Sequence, residues 1–218
     1  MSGAAPYTER TPRVAAARRL TRRAARDETG EFLAEGPQAV REALAGALAG
    51  TVARPRELFA TPAALARHPD VAGLAHRAGV PVSEVTPRAA AGLSETSTPQ
   101  GLVAVCPALD VPLDTALAGE PELVALLADV RDPGNAGTVL RTADAAGAGA
   151  VVLAGGSVDP YNGKAVRASA GSLFHLPVVR GADLDGALAA ARAAGLTVLA
   201  ADGTGEDDLD ELADAGTL

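Results

Sequence analysis

Two side chains stand out for what their types and spacing could do. They are Asn135 and Arg141, within the stretch Asp129-Val-Arg-Asp-Pro-Gly-Asn-Ala-Gly-Thr-Val-Leu-Arg-Thr-Ala-Asp144. An amide donates and accepts hydrogen bonds at once, and a guanidinium stays protonated and offers five donors. Such a pair suits holding a phosphate, orienting a hydroxyl or stabilising an oxyanion as it develops. Both residues also have plainer explanations. An asparagine at a helix start is usually a cap, and Asp144, three residues beyond Arg141, could pair with it.

The elements that must position this pair can be read around it. The stretch reads as the end of a buried strand (Leu123–Asp129), a tight turn, and a helix beginning on Asn135. Both side chains would then stand at the C-terminal edge of a parallel sheet, where open α/β sheets place their ligand sites. Ala136, Val139, Leu140, Ala143 and Ala146 form the helix's apolar side, and Gly147 ends it. Strands are expected at Ala150–Leu153, Phe174–Val179 and Leu196–Ala201. Between them lie a short helix at Lys164–Ala170 and a longer one capped by Asp183 and stopped by Gly195. Strands alternating with helices predict a parallel α/β unit.

Upstream, Glu31–Ala34, Glu57–Ala60, Pro81–Val85 and Gly101–Val105 read as short strands with helices between them. Gly36-Pro37 opens a helix with Pro37 at its first position. The segment from Pro107 to Pro121 reads as an exposed linker rich in proline and acid. Arg18, Arg22 and Arg26 are spaced four apart with Arg19 and Arg23 beside them, which on one helix makes a strongly basic face.

Composition narrows the class. Hydrophobic residues are 48% of the 218 but aromatics only 2%, so Ala, Val and Leu must fill the core. Cys106 is the only cysteine, so neither an intrachain disulfide nor a cysteine-based metal site is available. The Arg-rich start lacks the apolar run of a secretory signal, and no stretch is long and apolar enough to span a bilayer. A cytoplasmic protein with no membrane or metal partner is expected. The net charge of −8 conceals an asymmetry. Met1 to Arg26 carries seven arginines and one acid, whereas Asp202 to Asp214 carries seven acids and no base. Gly147, Gly149, Gly155 and Gly156 could be taken for a dinucleotide fingerprint, but that motif needs its glycines between a strand and the following helix. Gly147 and Gly149 stand the other way round, which disfavours a Rossmann oxidoreductase.

Asn135-Ala-Gly-Thr-Val-Leu-Arg-Thr-Ala-Asp144 resembles the first motif of the SpoU/TrmH family of RNA ribose 2′-O-methyltransferases, within the SPOUT superfamily. The run from Ser157 to Pro177 is similar to that family's next block. Phe32-Leu-Ala-Glu-Gly-Pro-Gln-Ala-Val-Arg-Glu-Ala-Leu44 resembles the opening of its small substrate-binding domain, and Thr98-Pro-Gln-Gly-Leu-Val-Ala104 that domain's last strand. The resemblance runs in order along nearly the whole chain.

The resemblance implies an α/β protein with a basic segment (1–28), an RNA substrate-binding domain (29–106), a linker (107–121) and a parallel-sheet SPOUT-like methyltransferase domain (122–218). It implies methyl transfer from S-adenosylmethionine to a ribose 2′-hydroxyl, with 23S ribosomal RNA as the expected substrate. Arg141 would activate the acceptor hydroxyl and Asn135 would orient it. Arg18, Arg19, Arg22, Arg23 and Arg26, with Lys164, Arg167 and Ser169, would bind RNA, and Tyr161 or His175 could stack on a base. A homodimer is expected by the same route. The family's cofactor sits in a C-terminal trefoil knot whose Gly-rich and Ser/Asn motifs do not follow Leu199-Ala-Ala-Asp-Gly203, so that region is expected to be missing. An RNA-binding protein without catalysis, or a truncated form lacking a working cofactor pocket, is the alternative.

Overall fold

The computed structural model describes residues 5–201. Two short helices, α1 (Pro12–Arg19) and α2 (Arg23–Thr29), precede β1 (Glu31–Glu35) and α3 (Pro37–Ala49). Then come β2 (Glu57–Ala60), α4 (Pro62–Arg67), α5 (Pro69–Arg77), β3 (Val82–Glu84), α6 (Pro87–Gly92) and β4 (Leu102–Pro107). The second unit holds α7 (Leu113–Leu117), β5 (Val124–Ala128), α8 (Pro133–Ala145), β6 (Ala150–Ala154), α9 (Gly163–Ala168), β7 (Val178–Ala182) and α10 (Leu184–Ala193).

The first unit is a mixed sheet in the order β1-β4-β2-β3, antiparallel except between β2 and β3. The second is a parallel sheet in the order β5-β6-β7. The fold is therefore α/β in both units, as the alternating pattern predicts. Among the described residues, no helix is long and apolar enough to cross a membrane.

Four sequence expectations need correction. The basic segment is not one helix. It breaks at Leu20–Arg22, and Arg22 is extended at the start of α2. The break is stabilised from a distance, because the Arg26 guanidinium donates to the Leu20 and Thr21 carbonyls that it frees. The helix after β5 starts at Pro133, with Asp132 as its cap, two residues before Asn135. Ser172–Phe174 forms a single 3-10 turn, because Leu173 and Phe174 point into the core from it, and the third strand starts only at Val178. Leu196–Ala201 joins no sheet; Thr197, Leu199 and Ala200 are exposed there. The acidic run 202–214 lies outside the described residues.

The connection between the units is also more ordered than an exposed linker. The Val111 N–H donates to the Val178 carbonyl, Asp110 bridges to β7, and Ala116 of α7 is buried against the second sheet.

One apolar core runs through both units. Phe32, Val40 and Leu44 belong to the same buried cluster as Leu140, Val166, Leu173 and Phe174. The Phe32 ring stacks on Tyr161 at 4.6 Å and faces Phe174 at 6.0 Å. The seam is reinforced by charge. Arg26 and Asp159 are paired at 2.8 Å with their side chains 4% and 3% exposed. Arg180 contacts Asp27 at 2.8 Å and lies 5.4 Å over the Tyr161 ring. Tyr161 donates to Asp110 and accepts from the Leu109 N–H, both at 2.7 Å.

Candidate functional site

The C-terminal ends of β5 and β6 are fastened before the candidate residues begin. The Ser157 hydroxyl lies 2.9 Å from the Leu127 carbonyl and 2.6 Å from that of Ala154, and accepts from the Val130 N–H at 3.1 Å. The chain then turns through Asp129, whose φ of 56° is left-handed, a conformation that Asp tolerates better than most residues. Asp132 follows as a two-sided anchor. One carboxylate oxygen accepts from the Asn135 N–H at 3.0 Å and the other from Lys164 Nζ at 2.8 Å. The Lys164 ammonium and the Asn135 N–H together hold the Asp132 carboxyl below the usual carboxylate range.

Because Asp132 already caps the helix, the Asn135 side chain is released from that task. This removes the plainer explanation of Asn135. Pro133 at the first helical position completes the start.

Two glycines bring α8 against α9. A Cβ on Gly137 would lie 2.5 Å from the Ala165 carbonyl oxygen and 2.6 Å from the Ala168 Cβ. One on Gly134 would lie 2.9 Å from the Lys164 Cε. The inner side of α8 buries Ala136, Leu140 and Ala143. Its outer side is left with Asn135, Thr138, Arg141 and Thr142, all exposed. Six residues place Arg141 about 9 Å along the axis and roughly 120° around it from Asn135, so the two occupy opposite margins of one face. Only Asn135 lies at the sheet rim; Arg141 is farther down the helix. Asp144 does not pair with Arg141. It accepts from His175 at 2.7 Å. Among the described residues, no carboxylate lies within ion-pair range of Arg141.

The other predicted RNA contacts divide sharply. Arg18 and Arg22 are exposed, with no carboxylate partner among the described residues, while Arg19 and Arg23 are exposed and pair with Glu28 and Asp27. Arg26 is buried in the seam, so the proposed face of Arg18, Arg22 and Arg26 does not exist. Lys164 is exposed but engaged by Asp132. Arg167 is turned inward onto Glu35 at 2.9 Å. Ser169 is fully buried and donates to the Val166 carbonyl, which removes it from any surface. Tyr161, 2% exposed and stacked on Phe32, has no face left for a base. His175 is exposed, but its ring nitrogens are taken by Asp144 and Glu42.

Sequence reasoning gave no role to Asp132, Ser157, Glu35 or Asp159. An Asp-Pro pair opening a helix was a readable signal for Asp132; the other three act across the fold and left none. At the rim where an adenosyl group would be sought, Ala128, Asp129, Gly155 and Gly156 are all exposed. These residues alone do not enclose such a group.

Each of the two units resembles known proteins. Residues 122–216 match the SpoU rRNA Methylase family, and residues 11–104 match an MRM3-like substrate binding domain. A Bacillus subtilis protein, the 23S rRNA (guanosine(2553)-2′-O)-methyltransferase RlmP, is 51% identical over 88 residues, or 40% of this chain and 34% of the relative. A solved rRNA methyltransferase from Sinorhizobium meliloti superposes with a TM-score of 0.76 at 32% identity, covering 94% of this chain and 75% of that one. An AdoMet-bound rRNA methyltransferase structure from the same organism gives 0.70 at 34% identity, covering 84% and 66%. The chain thus spans about a third of the length of the curated relative. The order of its two units and the fold of each agree: this chain belongs to the SpoU rRNA methylase family.

Proposed function

We propose that the chain acts in ribose 2′-O-methylation of 23S ribosomal RNA in the cytoplasm, and that the outer face of α8 receives the acceptor ribose. The observation that carries this reading is the state of Arg141. Arg26, Arg167 and Arg180 are each tied to acids, whereas Arg141 projects from a rigid helix with no acidic partner among the described residues.

A ribose hydroxyl is a weak nucleophile until its departing proton is accepted and its developing charge is stabilised. A guanidinium is never a practical base. Arg141 therefore serves as a fixed cation for the oxyanion or the adjoining phosphate. Asn135, freed from capping, can donate to and accept from the same sugar and so fix its orientation. S-adenosylmethionine, when bound, supplies an electrophilic methyl group. Alignment of the acceptor is the main contribution of the residues described here. Arg18 and Arg22, exposed and without a carboxylate partner among the described residues, are available for phosphate contacts, and self-association as a homodimer belongs to the same reading.

A second reading, RNA binding without catalysis, is favoured by the open rim at Ala128 and Gly155. One experiment separates the two. The chain is incubated with a 23S rRNA transcript and methyl-labelled S-adenosylmethionine. Label in 2′-O-methylnucleosides, which resist alkaline cleavage, is the expected result. Folded protein that binds the transcript, gives no heat with S-adenosylmethionine and transfers no label would leave only the second reading.

A further inference from the structure

Glu35 has no part in the chemistry above, yet it is a charged side chain with 8% exposure. It stands at the end of β1, at the boundary between the units. One carboxylate oxygen accepts from Arg167 Nη1 of α9 at 2.9 Å. The other accepts from the Ser94 hydroxyl, at the start of the loop 94–100 of the first unit. The same hydroxyl accepts from the Thr96 N–H at 3.1 Å, which folds the loop back on itself. Farther on, Glu95 packs against the first turn of α9, where a Cβ on Gly163 would lie 2.6 Å from Glu95 Oε2. The next residue, Lys164, reaches Asp132 and so the start of α8. A chain of contacts therefore leads from loop 94–100, through Glu35 and α9, to Asn135.

A carboxylate taken out of water is destabilising unless its lone pairs are filled. Here they are filled by one group from each side of the boundary. The loop presents Ser97, Thr98 and Gln100 to solvent, hydroxyl and amide groups suited to sugars and phosphates.

We infer that Glu35 is a positioning residue: it fixes loop 94–100 against α9, so that the loop and the outer face of α8 grip one RNA segment across the unit boundary. The inference rests on the reading of RNA as substrate. It gives Arg167 an indirect role in RNA recognition, through the loop it helps to hold.

The test measures the alignment and RNA binding separately. Spin labels are placed at Ser97→Cys and Ala145→Cys, both exposed positions. Cys106 is buried, and burial pushes its thiol up, so it stays unlabelled. The unchanged protein should give one narrow distance distribution. Glu35→Gln, which discharges the tie to Arg167, and Ser94→Ala, which cuts only the loop side, should both broaden it. Both should weaken binding of a 23S rRNA transcript by roughly tenfold. Ser94→Ala leaves Glu35 its bond to Arg167, so it should do so with a smaller fall in melting temperature than Glu35→Gln, which keeps the test intact if Glu35→Gln folds poorly. An unaltered distance distribution in Ser94→Ala would overturn the inference, as would a broadened one with undiminished RNA affinity. A parent protein that ignores the transcript would sink the ribosomal-RNA reading, and the shared grip with it, whatever the distances show.

Discussion

The seam between the units and the outer face of α8 use the same side chains to opposite ends. In the seam, Arg26 is filled by Asp159 and by the Leu20 and Thr21 carbonyls, and Arg180 by Asp27. On α8, Arg141 has no acid in reach among the described residues, and Asn135 is excused from capping by Asp132. Charges that stabilise a fold are satisfied before a ligand arrives. Charges that serve a ligand must wait for one, and a rigid element must hold them while they wait. α8 is such an element, because Gly134 and Gly137 let it press against α9 and the Ser157 hydroxyl ties down the strand ends beneath it.

This contrast can be broken by substitution. Arg26→Ala should have the largest effect on stability, because it leaves the buried Asp159 carboxylate with only the Tyr161 N–H and the more distant Arg180, 3.9 Å away, at a cost of about 3 kcal/mol. A urea titration reads this directly, and a loss near zero would mean the seam is wetter than its burial implies. Arg141→Ala should do the reverse: methyl transfer should fall by roughly 10²–10³-fold, as for loss of an oxyanion donor, while the melting curve stays where it was. Unchanged turnover would strip Arg141 of its role. Gly137→Ala should cost about 1–3 kcal/mol through overpacking against Ala165. It should lower methyl transfer as well, since α8 must move away from α9; a fully active, equally stable variant would contradict the close approach.

The smallest effect is a pH dependence at the seam's edge. Burial lowers the His175 imidazole, but its hydrogen bonds to Asp144 and Glu42 and their charges outweigh this, and the net shift is upward from 6.5. Protonated His175 ties Glu42 of α3 to Asp144 of α8. A raised native value means this contribution is complete below pH 6.5 and disappears as pH rises through the shifted value. The stability gap between the parent and His175→Gln should therefore close on the alkaline side. A gap that is independent of pH would show that the imidazole acts by packing alone.

Much of this molecule was legible in its residues. The period and punctuation of the second unit place β5 and β6 to within one residue and α8 to within two, since apolar runs and Asp or Gly boundaries are local signals. The outer face of α8 was legible for the same reason. The arginines were not. Arg26, Arg167 and Arg22 look alike on helix flanks, and what separates them is a carboxylate more than a hundred residues away in sequence. The helix break at Leu20–Arg22 was hidden likewise, because the Arg26 side chain that caps it is held in turn by Asp159. Leu196–Ala201 has the composition of a strand, but strand formation needs a neighbour, and composition does not supply one. Phe174, expected to open the third strand, instead enters the core from a single turn.

The central claim, that the α8 face waits for RNA while the seam is already satisfied, is tested most directly by nitrogen-detected NMR of the side chains. The Asn135 amide and the guanidinium groups of Arg141 and Arg26 would be followed while a 23S rRNA fragment is added. The account predicts that the Asn135 and Arg141 resonances shift together and that Arg26 stays in place. Binding that leaves Asn135 and Arg141 unmoved would contradict it.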